Sequence, residues 1–200
     1  MSIVIRNVCK HELDTVMTLN NNAGLAVLAL DSEKLERFYN QAACFRVAEH
    51  DGTIVGFLIG FGNHQKHQSN NFYWFCERYT HFFYIDRIVI ANDHRGSGLG
   101  RIFYADVESF TELRYPLLAC EVFLDHGTDA ALLFHISSGF REIGQYFNPD
   151  NALRARMLIK EMNSFAWIQK TYQGRLPDVA WIKKDERHSI AFQRQGEPKP

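Results

Sequence analysis

Long apolar runs are missing from this 200-residue chain. The longest, residues 23–30, falls far short of the roughly 20 residues that a membrane-spanning helix needs, so no membrane span is expected. An excess of charge of either sign is missing too. The chain has 22 Lys and Arg against 23 Asp and Glu, a formal net charge of -1 and an isoelectric point near 6.7. A nucleic-acid binder carries a basic stripe, and no such excess exists here. Cysteine is scarce. Cys9, Cys44, Cys76 and Cys120 are scattered without a C-x-x-C pair, which leaves zinc and dithiol chemistry no framework and predicts four reduced thiols. His64 and His67 form an H-x-x-H with no Cys or acidic residue at ligand spacing beside them, so no metal is expected. The first eight residues alternate like a strand and lack the apolar core of a signal peptide; the expected compartment is cytoplasmic. What remains, at 46% hydrophobic and 22% charged, has the composition of an ordinary one-domain globule.

Hydrophobic periodicity divides the chain into strands and helices. Residues 3–8 read as a strand and 10–19 as a helix, broken by the Asn-rich run that ends at Gly24. A second helix starts with Asp31 or Ser32 as N-cap and carries Leu35, Phe38, Tyr39 and Ala42 on one face. Strands at 45–49 and 53–61 flank Asp51 and Gly52, a pair that supplies the positive φ of a tight hairpin turn. A polar and aromatic connection, 62–81, leads to a strand at 82–91 that is apolar except for Asp86 and Arg87. Then come a helix at 99–113, a strand at 117–124 interrupted by Glu121, a helix at 128–138 stopped by Gly139, and strands at 140–147 and 153–162. The order β-α-α-β-β-β-α-β-α-β-β predicts a mixed α/β fold about one central sheet. Residues 1–162 are expected to form this domain and 163–200 an appendix. Phe165, Trp167, Tyr172 and Trp181 are costly to leave exposed, so the appendix is expected to dock to about residue 181, on the body or on a second subunit, which leaves a homodimer open. Residues 186–200 lack such anchors and read as a solvated tail.

The most informative segment runs from Ile88, Val89 and Ile90 through Arg95, Gly96, Ser97, Gly98, Leu99, Gly100 and Arg101. A strand ends, three glycines alternate, and an amphipathic helix begins. Glycines there let backbone N–H groups turn towards an anion, and the helix N-terminus adds about half a positive charge. Arg95 and Arg101 suit phosphate oxygens. Position 101 is Arg, so this is not G-x-G-x-x-G, and no Lys-Ser/Thr follows the glycines, so it is not the P-loop of a small kinase. A pyrophosphate cradle is preferred to a plain flexible turn.

The pattern Arg-x-x-Gly-x-Gly, met at Arg95, Gly98 and Gly100, resembles the acyl-CoA signature of the GNAT-superfamily N-acetyltransferases. The element order over residues 3–162 matches that fold, and the segment from Phe134 to Phe140 is similar to the family's Leu-Tyr-x-x-x-Gly-Phe. The run from Phe83 to Ile88, with Cys120 and Glu121 before a Phe-His pair, is similar to a bacterial branch of predicted acetyltransferases. The resemblance implies a twisted mixed sheet splayed at the strand before the glycines, where Ile88, Val89 and Ile90 would pair with pantetheine like an added strand. It implies acetyl-CoA as co-substrate, the amides of residues 95–100 on its pyrophosphate, and transfer to a primary amine of a small molecule or peptide. Glu121 lies where some members place a general base, and a carboxylate amid an apolar strand stands out by itself. The alternative for Glu121 is a structural ion pair with Arg87 or Arg141. His135 replaces the family's thiolate-protonating Tyr and can donate a proton near neutrality or merely line the groove. The family's Asn before that helix falls near Thr128.

Strand alternation puts Asp86 on the side of Ile88 and Ile90 as a second acid–base candidate, with Arg87 pointing the other way and no direct pair between them. As the alternative, Asp86 is a structural carboxylate. In the connection, Tyr73, Trp74 and Tyr79 are candidates for the acceptor pocket, or for a short helix covering the sheet. The leading reading is an acetyl-CoA-dependent N-acetyltransferase; its rival is an acyl-CoA-binding sensor without turnover.

Overall fold

Period-two alternation at the hairpin sets the register of the sheet. Asp51 (φ 47°) and Gly52 (φ 82°) both adopt positive φ, and this turn folds β2 (Cys44–His50) against β3 (Thr53–Gly62). The computed structural model describes residues 3–124 and 129–177. Within them, β1 (Ile3–Asn7), β4 (Phe83–Ile90), β5 (Leu117–Phe123), β6 (Arg141–Asn148) and β7 (Leu153–Glu161) complete a seven-stranded sheet in the order β1-β2-β3-β4-β5-β7-β6. Every neighbouring pair is antiparallel except β4 and β5, which are parallel. The mixed α/β class expected from the element order is the one observed.

Helices cover both faces of this sheet. On one face α1 (Leu13–Asn21), α2 (Ser32–Gln41) and α3 (Asn70–Cys76) bring Val16, Leu35, Phe38, Phe72 and Phe75 against Phe57, Ile59, Phe61, Tyr84 and Val89. On the other, α4 (Leu99–Glu112) and α5 (Asp129–Ser137) pack on Leu58, Phe83, Ile85 and Leu118 through Leu99, Phe103, Val107, Phe110 and the half-buried Phe134. The Asp31 side chain caps α2 by accepting from the Lys34 amide (2.6 Å). The connection at 62–81 contains α3, absent from the element order read off the sequence. At two turns it is too short to show a helical period, and Ser69 caps it by accepting from the Asn71 amide (3.2 Å).

Two local features depart from simple reading. Ile85 pairs with Gly60 and Arg87 with Ile59, so Asp86 is an extra residue in β4, a β-bulge. The bulge resets alternation. Asp86 and Arg87 therefore share the face of Tyr84 and Val89, whereas Ile88 and Ile90 pack on the opposite one. In the appendix, α6 (Phe165–Tyr172) docks through Ile168 against Leu113 and Leu176, and Phe165 meets His81. Contrary to expectation, Trp167 is 63% exposed and Tyr172 39%. Helical spacing turns Ile168 inward and Trp167 out. Trp181 and the tail from 186 lie outside the described residues. No helix among the described residues is long and apolar enough to cross a membrane.

Candidate active site

β4 and β5 separate after two residue pairs, Phe83 with Leu118 and Tyr84 with Ala119. Beyond Tyr84, β4 pairs only with β3, as far as Ile90 opposite Gly56. The splay expected before the glycines is therefore present, and among the described residues no strand pairs with one edge of Ile88, Val89 and Ile90. Because the Ala91 N–H reaches Val55 O (2.9 Å), the trans peptide turns Ile90 O the other way, to the free edge. There Arg95 Nε donates to it (3.2 Å), while another Arg95 nitrogen donates to Ala23 O (3.1 Å). Arg95 thus ties the glycine loop to the α1–α2 connection.

At the C-terminal end of β4 the backbone makes one short turn and then opens. Ser97 Oγ donates to His94 O (2.6 Å), and Gly96 (φ 76°) and Gly98 (φ 89°) take left-handed conformations that favour glycine. Among the described residues, no protein acceptor receives the amides of Gly96, Ser97, Gly98, Leu99 or Gly100. Those of Leu99 and Gly100 are orphan donors of the helix N-terminus, which Gly98 as N-cap has no side chain to satisfy, and those of Gly96, Ser97 and Gly98 belong to the loop and cap before it. A Cβ added at Gly96 or Gly98 would meet nothing, whereas one at Gly100 would lie 2.9 Å from the Phe134 ring. Gly100 is thus a packing glycine that brings α4 onto α5. Arg101 is exposed beside it.

Glu121 stands two residues beyond the last β5 residue paired with β4. Its carboxylate accepts from Tyr84 OH at both oxygens (2.8 and 2.7 Å) and from Asn71 Nδ2 (2.8 Å). Burial raises its pKa to about 7, and these hydrogen bonds hold it from rising further. Arg87 pairs with Asp86 and Arg141 with Glu161, so neither is the Glu121 ion pair that the sequence left open. Burial and the neighbouring Glu121 charge push the Tyr84 hydroxyl upward, so it stays protonated and donating.

Asp86 does not have the neighbours expected of it. Arg87 Nε donates to its Oδ2 (2.6 Å), the pair that simple alternation excluded, because the bulge brings both side chains to one face. His67 Nε2 meets Asp86 Oδ1 (2.9 Å) while His67 Nδ1 accepts from the Ser69 amide (3.1 Å), which fixes the Nε2–H tautomer. Burial alone would raise the Asp86 pKa, but Arg87 and His67 hold it well below the usual carboxylate range. An acid so strongly held ionised is a poor proton shuttle, so its environment is that of a structural carboxylate.

His135 sits on the α4–α5 side, 7% exposed, with Nδ1 against Tyr104 OH and 3.7 Å from Cys120 Sγ. Burial lowers its pKa to about 4. That shift disfavours an imidazolium near pH 7 and weighs towards the alternative, a ring that lines the groove. Residues 125–128, including Thr128, lie outside the described residues.

A cavity of about 690 Å³ opens on the α1–α2–α3 face, between α2, the β3–α3 connection and the β6–β7 turn. Tyr73 lines it; Trp74 and Tyr79 do not. Trp74 instead lies under the Arg78 guanidinium (3.9 Å) and faces Gly144 of β6, and Tyr79 packs on the core. Asn148, on the cavity wall, donates to Asn71 Oδ1 (3.2 Å), and Asn71 in turn donates to Glu121. The sequence did not bring Tyr84, Asn71, His67 and Asn148 together, and His67 stood out there only in the H-x-x-H. Tyr84 left a signal of its own, as a tyrosine among the apolar residues of β4.

The family model for the acetyltransferase (GNAT) family matches residues 14–140. The chain belongs to the GNAT acetyltransferase family. Solved structures share the GNAT fold at low identity. The ribosomal-protein-S18-alanine N-acetyltransferase from Escherichia coli is 17% identical, with TM-score 0.60 over 80% of this chain and 94% of that one. Ard1 from Thermoplasma volcanium is 16% identical, with TM-score 0.65 over 80% and 98%. Chaetomium thermophilum Naa20, in complex with a bisubstrate analogue, is 18% identical, with TM-score 0.63 over 82% and 89%. No curated protein matches the chain in sequence. GNAT enzymes in general use acetyl-CoA. The groups present here fit that cofactor: a strand edge without a partner strand for pantetheine, where Arg95 holds Ile90 O, and five amides without a protein acceptor among the described residues for pyrophosphate.

Proposed function

We propose that the protein transfers an acetyl group directly from acetyl-CoA to a primary amine of a small molecule or peptide. The observation that carries this reading is Glu121, a carboxyl with a pKa of about 7 at the fork where β4 and β5 part. A base poised near the working pH combines a useful ionised fraction with enough basicity to take a proton from an ammonium. The amides of residues 95–100 would hold the pyrophosphate, and the free edge of Ile88, Val89 and Ile90 the pantetheine. Bound there, acetyl-CoA supplies the activated acyl group. Glu121 strips a proton from the incoming amine, directly or through one water, while Tyr84 and Asn71 fix the carboxylate. The leaving thiol needs little help: a thiol has a reference pKa of about 8.5, so its thiolate is a fair leaving group near neutrality.

One observation favours a second reading, an acyl-CoA sensor without turnover. The residue in place of the family's Tyr, His135, is enclosed, and burial lowers its pKa to about 4. Release of CoA thiol from acetyl-CoA, followed across a panel of primary amines, separates the two. An enzyme gives amine-dependent release that Glu121→Gln suppresses. A sensor binds acetyl-CoA with no amine-dependent release.

A further inference from the structure

Asn71 and Asn148 are both buried, and each carries an amide whose oxygen and nitrogen a half-turn of the side chain would exchange. The groups at the two ends of the chain they form fix its direction. At one end the Asp150 backbone N–H, which can only donate, meets Asn148 Oδ1 (3.0 Å), and Asn70 Nδ2 lies 3.5 Å from the same oxygen. Asn148 Nδ2 is thereby turned to Asn71 Oδ1, to which it donates (3.2 Å). Asn71 Nδ2 is left to donate to Glu121 Oε1 (2.8 Å). At this end an ionised carboxylate can only accept. Asn70 Nδ2 also donates to Asp150 Oδ2 (2.7 Å), which ties α3 to the turn after β6. The chain therefore runs one way, donor to acceptor, from that turn through α3 to the base.

We propose that Asn148 is a positioning residue for Glu121: it holds the Asn71 amide with its nitrogen, and not its oxygen, towards the carboxylate. The proposal rests on the transferase reading above and adds a residue that acts on its base through Asn71. A reversed Asn71 amide would set a carbonyl oxygen against the carboxylate, so a donor that favours the charged form would give way to an acceptor that opposes it. The other groups that act on Glu121 come from β4: Tyr84 donates to it, and the charges of Asp86 and Arg87 pull its pKa in opposite directions. On its own strand the neighbouring Cys120 thiol is buried and pushed upward, and β7 sets Met157 opposite. A substitution at position 148 alters none of these side chains.

The test follows Glu121 in the full chain by two readouts. One is the NMR titration of its carboxyl in protein carrying isotope-labelled glutamate, the signal identified by its absence from Glu121→Gln. The other is the rising limb of kcat/KM with acetyl-CoA and the best acceptor of the amine panel. Asn148→Leu, close to asparagine in size, should shift both midpoints alkaline, by up to about one to two pH units, the worth of a hydrogen bond to a charged group. Asn71→Leu should shift them by that full amount, and Asn148→Leu added to it should move neither further. Asn148→Asp keeps an acceptor for the Asp150 amide and serves if Asn148→Leu does not fold. It too should shift both midpoints alkaline, and by less once Asn71 is replaced by leucine. Midpoints that stay put in the folded variant, or shifts of equal size with and without Asn71, overturn the proposal. A carboxyl midpoint that moves while the rate limb does not sustains the positioning by Asn148 and counts instead against Glu121 as the base. If no amine is turned over, the transferase reading falls by itself, and the carboxyl titration still decides the role of Asn148.

Discussion

Removing the Tyr84 hydroxyl should move the pH dependence of the reaction in a direction fixed by the hydrogen bonds at Glu121. Tyr84 OH donates to both carboxylate oxygens (2.8 and 2.7 Å) and so favours the charged form. A hydrogen bond to a charged group is worth about 1.5–3 kcal/mol, and each pKa unit corresponds to about 1.4 kcal/mol. Tyr84→Phe should therefore raise the Glu121 pKa from about 7 by about one to two units. The rising limb of kcat/KM against pH should shift alkaline by that amount. The amine also titrates on this side, but with the same acceptor its contribution cancels between wild type and variant. Thiol release at saturating acetyl-CoA is the assay. The companion measurement is stability. Folding lifts Glu121 from 4.5 to about 7, so its ionisation weakens the fold, not at all below pH 4.5 and fully above about 7. The gap amounts to at most about 3 kcal/mol. Glu121→Gln should accordingly be more stable than wild type at pH 8 relative to pH 4, and far less active. A limb that stays put or moves acidic in Tyr84→Phe refutes Glu121 as the base.

Gly98→Val must hold a branched side chain at φ 89°, a strain of about 1–3 kcal/mol, and should also abolish the thermal stabilisation given by acetyl-CoA; a full shift in the variant would move the cofactor elsewhere. His135, whose pKa falls from 6.5 to about 4 on burial, contributes stability that is lost as pH drops through that window, up to about 3 kcal/mol. His135→Phe should remove that acid sensitivity while keeping most activity at pH 7, measured by denaturant titration at pH 4.5 and 7 alongside thiol release; a roughly 10²-fold slower variant would instead restore His135 as proton donor. Trp74→Ala should lower the melting temperature and leave both KM values near wild type; a raised acceptor KM at an unchanged melting temperature would return Trp74 to the acceptor pocket.

Elements with strong local signals were legible in the sequence. The Asp51–Gly52 hairpin, the Asp31 cap and the glycines before α4 each follow from backbone preferences that need no tertiary context. Glu121 was legible because a carboxylate inside an apolar strand demands partners. Which partners was not legible: Asn71 lies 50 residues away in sequence and Tyr84 37, and only the sheet brings them together. Asp86 was misplaced because a bulge leaves no mark on composition; one inserted residue reversed the inferred face and created the pair with Arg87. His135 was placed correctly on its helix, but its protonation depends on enclosure by Tyr104, Phe140 and Cys120. That enclosure is a property of packing, as is the cavity that Tyr73 lines and Trp74 does not.

The most direct test of the central claim follows labelled acetyl from acetyl-CoA to an amine in wild type and Glu121→Gln, with acetyl-CoA binding measured in parallel. The account predicts one CoA thiol released per acetylated amine in wild type. In Glu121→Gln it predicts a rate at least about 10²-fold lower with acetyl-CoA affinity retained. Undiminished transfer in Glu121→Gln, or binding of acetyl-CoA by wild type with no acetylated product from any primary amine, would contradict it.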